Sequence, residues 1–192
     1  GFCTDVWFDY ATRFIRKQKQ AGKPFLAYIT TNAPHGPMHS PKKFSEPYGR
    51  QKVGVANFFG MIANIDENVG KLRLFLKENQ LSDNTILLYF GDNGTAGGAG
   101  TNKNSLVMNG YNAGMRGSKC LAYEGGHRNA CSIYWPQGNL VGGKEIHELT
   151  AQLDLMPTLM DMAGIPNTQK IQFDGRSILP TLQGRTQASR SL

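Results

Sequence analysis

No run of this sequence approaches the roughly 20 consecutive apolar residues that a membrane-spanning helix requires. Cysteine is scarce. Cys3, Cys120 and Cys131 cannot close a disulfide framework and lack the paired spacing of a zinc site. Acidic residues are the minority charge, 14 against 21 Lys and Arg, which leaves a net charge of +7. That balance suits an anionic partner. The positive residues are scattered, and the densest stretch, Arg13 to Lys19, falls on a helical pattern and reads as a solvated face. No nucleic-acid-binding motif is present, which argues against a nucleic-acid partner. No secretory signal opens the chain, which reads as starting in mid-domain. Internal repeats and low-complexity linkers are also missing, so the expectation is one domain.

What is present is a chain of 192 residues, 40% hydrophobic, with aromatics spread along it, enough to bury a real core. The first helix is expected over Asp5 to Gln20, capped by Thr4 or Asp5, with Trp7, Ala11, Phe14 and Ile15 as its apolar stripe. Phe25 to Thr31 is aromatic and β-branched and predicts a buried strand. The proline-rich segment from Asn32 to Tyr48 predicts a loop. Val53 to Gln80 carries Phe58, Ile62, Ile65, Val69, Leu72 and Leu76 at helical spacing. Strands are expected at Thr85–Phe90 and Ala130–Trp135. A helix is expected over Asp154–Met162, with Asp154 as its cap and Pro157 in its first turn, and a short last helix should end near Gly184. Between Gly91 and Gly126 ten glycines and no periodicity predict a long, ordered, functional loop. This alternation argues for an α/β fold with a mainly parallel sheet sandwiched by helices. Ligands of such sheets bind at the carboxyl ends of strands, where the polar clusters of this sequence fall.

Three places could carry chemistry. Asp92 and Asn93 offer a carboxylate and an amide oxygen just past a strand, hard donors suited to Ca²⁺ or Mg²⁺. From these residues alone a plain Asp-Asn-Gly turn is the preferred reading, and two ligands are too few for calcium. His35, in Ala-Pro-His-Gly-Pro, is an imidazole between prolines, suited to proton transfer near neutral pH; His39 is its local competitor. Lys119, in a glycine-rich loop, can aim a compact positive charge at an oxyanion, or can be an ordinary surface lysine. Glu124 and Arg128 are expected to pair structurally. Arg116 and His127 are second-rank anion-binding candidates.

Taken together, Pro-His-Gly-Pro, then Gly-Asp-Asn-Gly, then Lys119 four residues before Tyr-Glu-Gly-Gly, then Asp154-Leu-Met-Pro-Thr-Leu closely resemble the sulfatase family of the alkaline-phosphatase-like superfamily. The resemblance runs from Thr4-Asp5 to Asp174-Gly-Arg-Ser-Ile-Leu-Pro180. It implies that Asp92 and Asn93 are late ligands of one calcium ion. It implies that His35 contacts the sulfate and protonates the leaving oxygen, and that Lys119 holds the sulfate. The substrate is then a sulfate ester, with sulfated carbohydrate among the possibilities, and the compartment periplasmic, secreted or lysosomal.

The sequence departs from the family in one respect. Sulfatases use a formylglycine made from Cys or Ser in Cys/Ser-x-Pro-x-Arg, and no cysteine or serine here fits. The early acidic calcium ligands, and the Lys and His that follow the nucleophile, are also missing. The expectation is therefore that residues 1–192 are the later part of one catalytic domain. Its first strand, nucleophile region and C-terminal subdomain would lie elsewhere, and Ser189-Arg-Ser-Leu192 stops where the family runs on. A phosphate or phosphonate ester hydrolase on the same scaffold, and a degenerate homologue that binds sulfated glycans, are the rival readings.

Overall fold

The computed structural model describes residues 1–95 and 100–188; the expected run-on at Ser189–Leu192 and part of the glycine-rich loop, 96–99, lie outside them. The chain divides into two compact units, one of Gly1–Leu81 with Asn93–Asn129, the other of Ser82–Asp92 with Ala130–Leu192.

In the first unit, α1 (Cys3–Gln20) packs against α3 (Val53–Glu78), and the short α2 (Lys42–Ser45) packs on α3 as well. The buried face of α1 is Thr4, Phe8 and Ile15, so of the expected stripe only Ile15 is buried. Trp7 and Phe14 stand 46% and 40% exposed and line an open apolar groove with Tyr28 and Ile29. The cause is polar. Asp5 Oδ1 accepts 2.8 Å hydrogen bonds from Asn64 Nδ2 and from Asn68 Nδ2 on α3. Those two amides sit in the buried face of α3 among Phe58, Met61, Ile65, Leu72 and Leu76. The carboxylate therefore fixes the rotation of α1. The basic stretch of α1 is partly used for the same packing. Lys19 Nζ donates to Asn79 O at 2.7 Å at the end of α3, a favourable place for a cation, and Arg16 lies over the Phe75 ring.

Phe25–Thr31 forms no ladder with any described residue. Its side chains alternate in burial, with Leu26 79% and Tyr28 74% exposed. The alternation is that of an extended strand. A strand, however, is completed by a neighbour, and the described residues supply none. The proline-rich segment, expected as loop, contains α2 and a 3-10 turn at Glu46–Tyr48. Gly60 of α3 admits it closely, since a Cβ there would meet Ser45 N at 3.0 Å.

In the second unit, β1 (Leu87–Phe90) pairs with β2 (Cys131–Tyr134) in the register Leu87 with Tyr134 through Phe90 with Cys131. The pairing is antiparallel, so the only sheet among the described residues is not the mainly parallel one expected. Gly91 N–H donates to Ala130 O, so the chain re-enters beside the strand it left, running the opposite way. Both strands expected in this unit form, the third expected strand being Phe25–Thr31 of the first unit, and the mixed α/β class stands.

Helices α5 (Leu155–Met162) and α6 (Leu179–Leu182) complete this unit. Asp154 does not cap α5 with its side chain. It is fully buried, its Oδ2 accepts from Ala151 N–H at 2.9 Å, and its Oδ1 accepts from Arg176 N–H at 3.0 Å. Thr158 Oγ1 donates to Asp154 O and accepts from Ile178 N–H. The turn Asp174-Gly-Arg-Ser is thereby stapled to α5, and Gly175 is required because a Cβ there would meet Leu153 O.

Two outcomes follow. Burial pushes the Asp5 carboxyl up, but Asn68, Asn64, Lys71 and Lys43 more than offset this and hold it below its ordinary 3.8. A depressed folded-state value contributes stability above 3.8 that is lost as pH falls through the folded value. Asp5→Ala should thus destabilise by about 1–3 kcal/mol at neutral pH, and urea titrations should show the gap closing below pH 3.8. Asp154→Ala should cost about 1–3 kcal/mol for each stranded N–H.

Candidate functional site

The backbone places His35 before its side chain is considered. Ala33, two residues earlier, is buried with Met61 and Ile65 of α3, and Met38 packs on the same cluster. Asn57 Nδ2 donates to Met38 O at 2.9 Å and Thr31 Oγ1 donates to Ala33 O at 2.7 Å. Asn32 ties the segment to α1, its Oδ1 accepting from Trp7 Nε1 at 3.3 Å and lying 3.2 Å from Cys3 Sγ. Sequence reasoning missed this role of Asn32, because its partners lie a whole helix away. Both prolines flanking His35 follow cis peptide bonds. The exposed His35 ring sets Nδ1 2.9 Å from Gly36 O. A carbonyl only accepts, so Nδ1 carries the hydrogen and Nε2 is the end that takes or gives a proton. His39 is exposed as well, but no hydrogen bond holds its ring among the described residues.

Lys119 is held by a glycine knot. Its N–H donates to Thr95 O at 2.8 Å, Gly94 N–H donates to Gly126 O at 2.9 Å, and Gly125 N–H donates to Arg116 O at 2.8 Å. These backbones approach too closely for side chains. A Cβ at Gly94 would run into Gly125 O, one at Gly125 into Gly117 O, and one at Gly126 into Leu121 O. Gly117, at φ 89°, lies against the Tyr123 ring. The sequence read this stretch as loop, but Glu124–His127 forms one helical turn, α4. Glu124 and Arg128 pair across it at 3.3 Å, as expected. The half-buried Lys119 has no carboxylate partner among the described residues.

Asp92 and Asn93 are adjacent in sequence, and the boundary between the two units falls between them. Asp92 O accepts from Gln152 Nε2 at 3.1 Å, and Asn93 Nδ2 donates to Gly94 O at 3.0 Å. One carboxylate and one amide oxygen fit a hard cation. Among the described residues no three His, Cys, Asp or Glu gather as a metal site. The pair therefore fits part of a coordination sphere and needs further ligands. His35, Asn93 and Lys119 belong to one unit, and no hydrogen bond joins the side chains of His35 and Lys119.

A family model described as Sulfatase matches residues 2–165. The chain is 30% identical over 181 residues to N-acetylgalactosamine-6-sulfatase of Canis lupus familiaris, covering 94% of this chain and 33% of the relative. It is 29% identical to the uncharacterized sulfatase YdeN of Escherichia coli (strain K12), over 97% of this chain and 32% of the relative. It thus spans about a third of the length of these curated relatives. Among solved structures, the crystal structure of Ps i-CgsB in complex with k-i-k-neocarrahexaose superposes with a TM-score of 0.81 at 27% identity, over 94% of this chain and 38% of the other. The crystal structure of yidJ from Bacteroides fragilis superposes at 0.72 with 23% identity, over 96% of this chain and 42% of the other. The fold is the alkaline-phosphatase-like fold of sulfatases, as the motifs led us to expect.

The knot makes a sharp contrast between glycines. Gly94→Ala should destabilise by about 1–3 kcal/mol, because the added carbon meets backbone. Gly70→Ala in α3 meets nothing within 4 Å and should stabilise by up to about 1 kcal/mol. Thermal melts of both variants would check the pair.

Proposed function

The chain belongs to the sulfatase family, and from that premise we propose that it is part of a catalytic domain hydrolysing a sulfate ester, with the formylglycine nucleophile outside residues 1–192. The substrate we infer is a sulfated carbohydrate. What supports this class is similarity to a sulfatase named for N-acetylgalactosamine and to a structure solved with a neocarrahexaose. No described helix is long and apolar enough to cross a membrane. A periplasmic, secreted or lysosomal location belongs to the same proposal.

The observation that carries the mechanism is the fixed orientation of His35. With Nδ1–H directed at Gly36 O, Nε2 is the nitrogen left to take or give a proton. Attack at sulfur breaks the bond from sulfur to the ester oxygen, and that oxygen leaves with the bonding pair. His35, protonated on Nε2, gives its proton to this oxygen and leaves as the neutral ring. Lys119 Nζ holds a sulfate oxygen, and its charge offsets what accumulates on the sulfuryl group. The glycine knot prevents the lysine backbone from drifting.

Sulfatases are generally metal-dependent as a family. We assign Asp92 and Asn93 as two oxygen ligands of a single calcium ion whose other ligands lie outside this chain. The ion would supply Lewis-acid polarisation of the sulfate.

In the full-length protein His35→Ala should lower kcat/KM for alkyl sulfates by about 10²- to 10⁴-fold, and far less for aryl sulfates whose phenols leave unaided. Lys119→Ala should lower both classes alike, because it acts on the sulfate. Equal losses for both substrate classes in His35→Ala would remove the acid role.

A further inference from the structure

Arg116 is not used in the mechanism above, yet both its backbone and its side chain have defined partners. Its guanidinium carbon lies 3.9 Å from the centroid of the Tyr123 ring. The ring is itself located by Gly117, where a Cβ would meet Tyr123 Cβ at 2.8 Å. The backbone of Arg116 is pinned on both sides, since its carbonyl accepts from Gly125 N–H at 2.8 Å and the residue bridges to Leu106. The side chain is nevertheless exposed and has no carboxylate partner among the described residues. Glu124, the acid nearest in sequence, is engaged by Arg128 at 3.3 Å.

These facts have a chemical consequence. A guanidinium held over an aromatic ring by its central carbon keeps its N–H groups in its own plane, where they bind an oxyanion through two parallel hydrogen bonds. Its partners are already in place before a ligand arrives, so little side-chain freedom is lost on binding. Lys119, three residues on and carried by the same knot, is a compact point charge suited to a single oxygen. Two cations of different geometry therefore stand on one loop, and neither has a carboxylate partner among the described residues. With Lys119 given to the sulfate being cleaved, the fork of Arg116 is left for another oxyanion.

We propose that Arg116, seated on Tyr123, reads a second oxyanion of the substrate, a further sulfate or a carboxylate beyond the ester being cleaved, and so determines specificity for polyanionic saccharides. The proposal rests on the reading under Proposed function. Arg116 is a substrate-binding group in this account and takes no part in bond breaking. Its replacement should raise KM for polyanionic substrates and leave the chemical step on them intact.

The test uses the full-length protein with four substrates: an activated aryl sulfate, a monosulfated saccharide, its disulfated counterpart, and the monosulfated saccharide bearing a uronate. In Arg116→Gln the preference for a doubly anionic substrate over the monosulfated one should fall about ten- to a hundred-fold, chiefly through KM. Arg116→Lys, which keeps charge but not the fork, should fall between. Tyr123→Leu, which keeps the arginine and removes its seat, should lower the same preference by a smaller factor. Loss confined to the disulfated or to the uronate substrate identifies the second group as sulfate or carboxylate. An unchanged preference in Arg116→Gln, or equal losses on all four substrates, would overturn the proposal. Turnover of the aryl sulfate by the unsubstituted protein reports separately on the sulfatase reading. Its absence would sink both readings, whereas turnover with an unchanged preference sinks this one alone.

Discussion

Backbone packed on backbone, with no room for a Cβ, is the constraint on which the candidate site depends. Gly94, Gly125 and Gly126 bring stretches of chain within hydrogen-bonding distance of one another where a Cβ would meet backbone. Lys119 is carried by that contact, and so is Arg116 through its carbonyl. Glycine is costly in an unfolded chain because it has the most freedom to lose. Here that loss is offset by a geometry that no side-chain-bearing residue permits. A cation on an ordinary surface loop samples many positions. One whose own N–H and neighbouring carbonyl are both engaged starts from a fixed base.

The His35 segment is fixed by different means. It is anchored through apolar burial at Ala33 and Met38 and through polar ties to α1 and α3. Those helices are in turn locked to each other by Asp5, Asn64 and Asn68. A buried polar cluster of this kind is sensitive to rotation, because the donors meet the carboxylate only at one setting of α1. The apolar contacts hold the helices together, and the polar ones decide which face of α1 is inward. The second unit uses the same device at Asp154, whose two oxygens join a helix start to a turn twenty-two residues away.

Several errors of expectation share one origin. The apolar stripe assigned to α1 followed hydrophobicity, but Asp5 turned the helix so that Phe8 and Ile15, with Thr4, face inward and Trp7 stays half exposed. Asn64 and Asn68 look like surface residues in a helical pattern, and both are buried because a carboxylate from another helix meets them. Phe25–Thr31 has strand composition and strand alternation without a ladder among the described residues. The sheet of β1 and β2 runs antiparallel although the order of elements suggested parallel pairing. Periodicity reports what one segment prefers. It carries no information about which partner that segment will meet.

The sequence alone determined the long helix from Val53, the positions of both strands that pair, and the family, because these rest on local spacing and on short motifs in fixed order. It also determined the pairing of Glu124 with Arg128, four residues apart on one turn. Only the tertiary structure decided that His35 presents Nε2, since that follows from where Gly36 O lies. Only the tertiary structure set Arg116 on Tyr123 and put backbone where Gly94 would carry a side chain. Hydrogen bonds along a helix and motif spacings span a few residues and are legible in the chain. The orientation of an imidazole or a guanidinium depends on atoms brought near by folding, and no local pattern encodes that proximity.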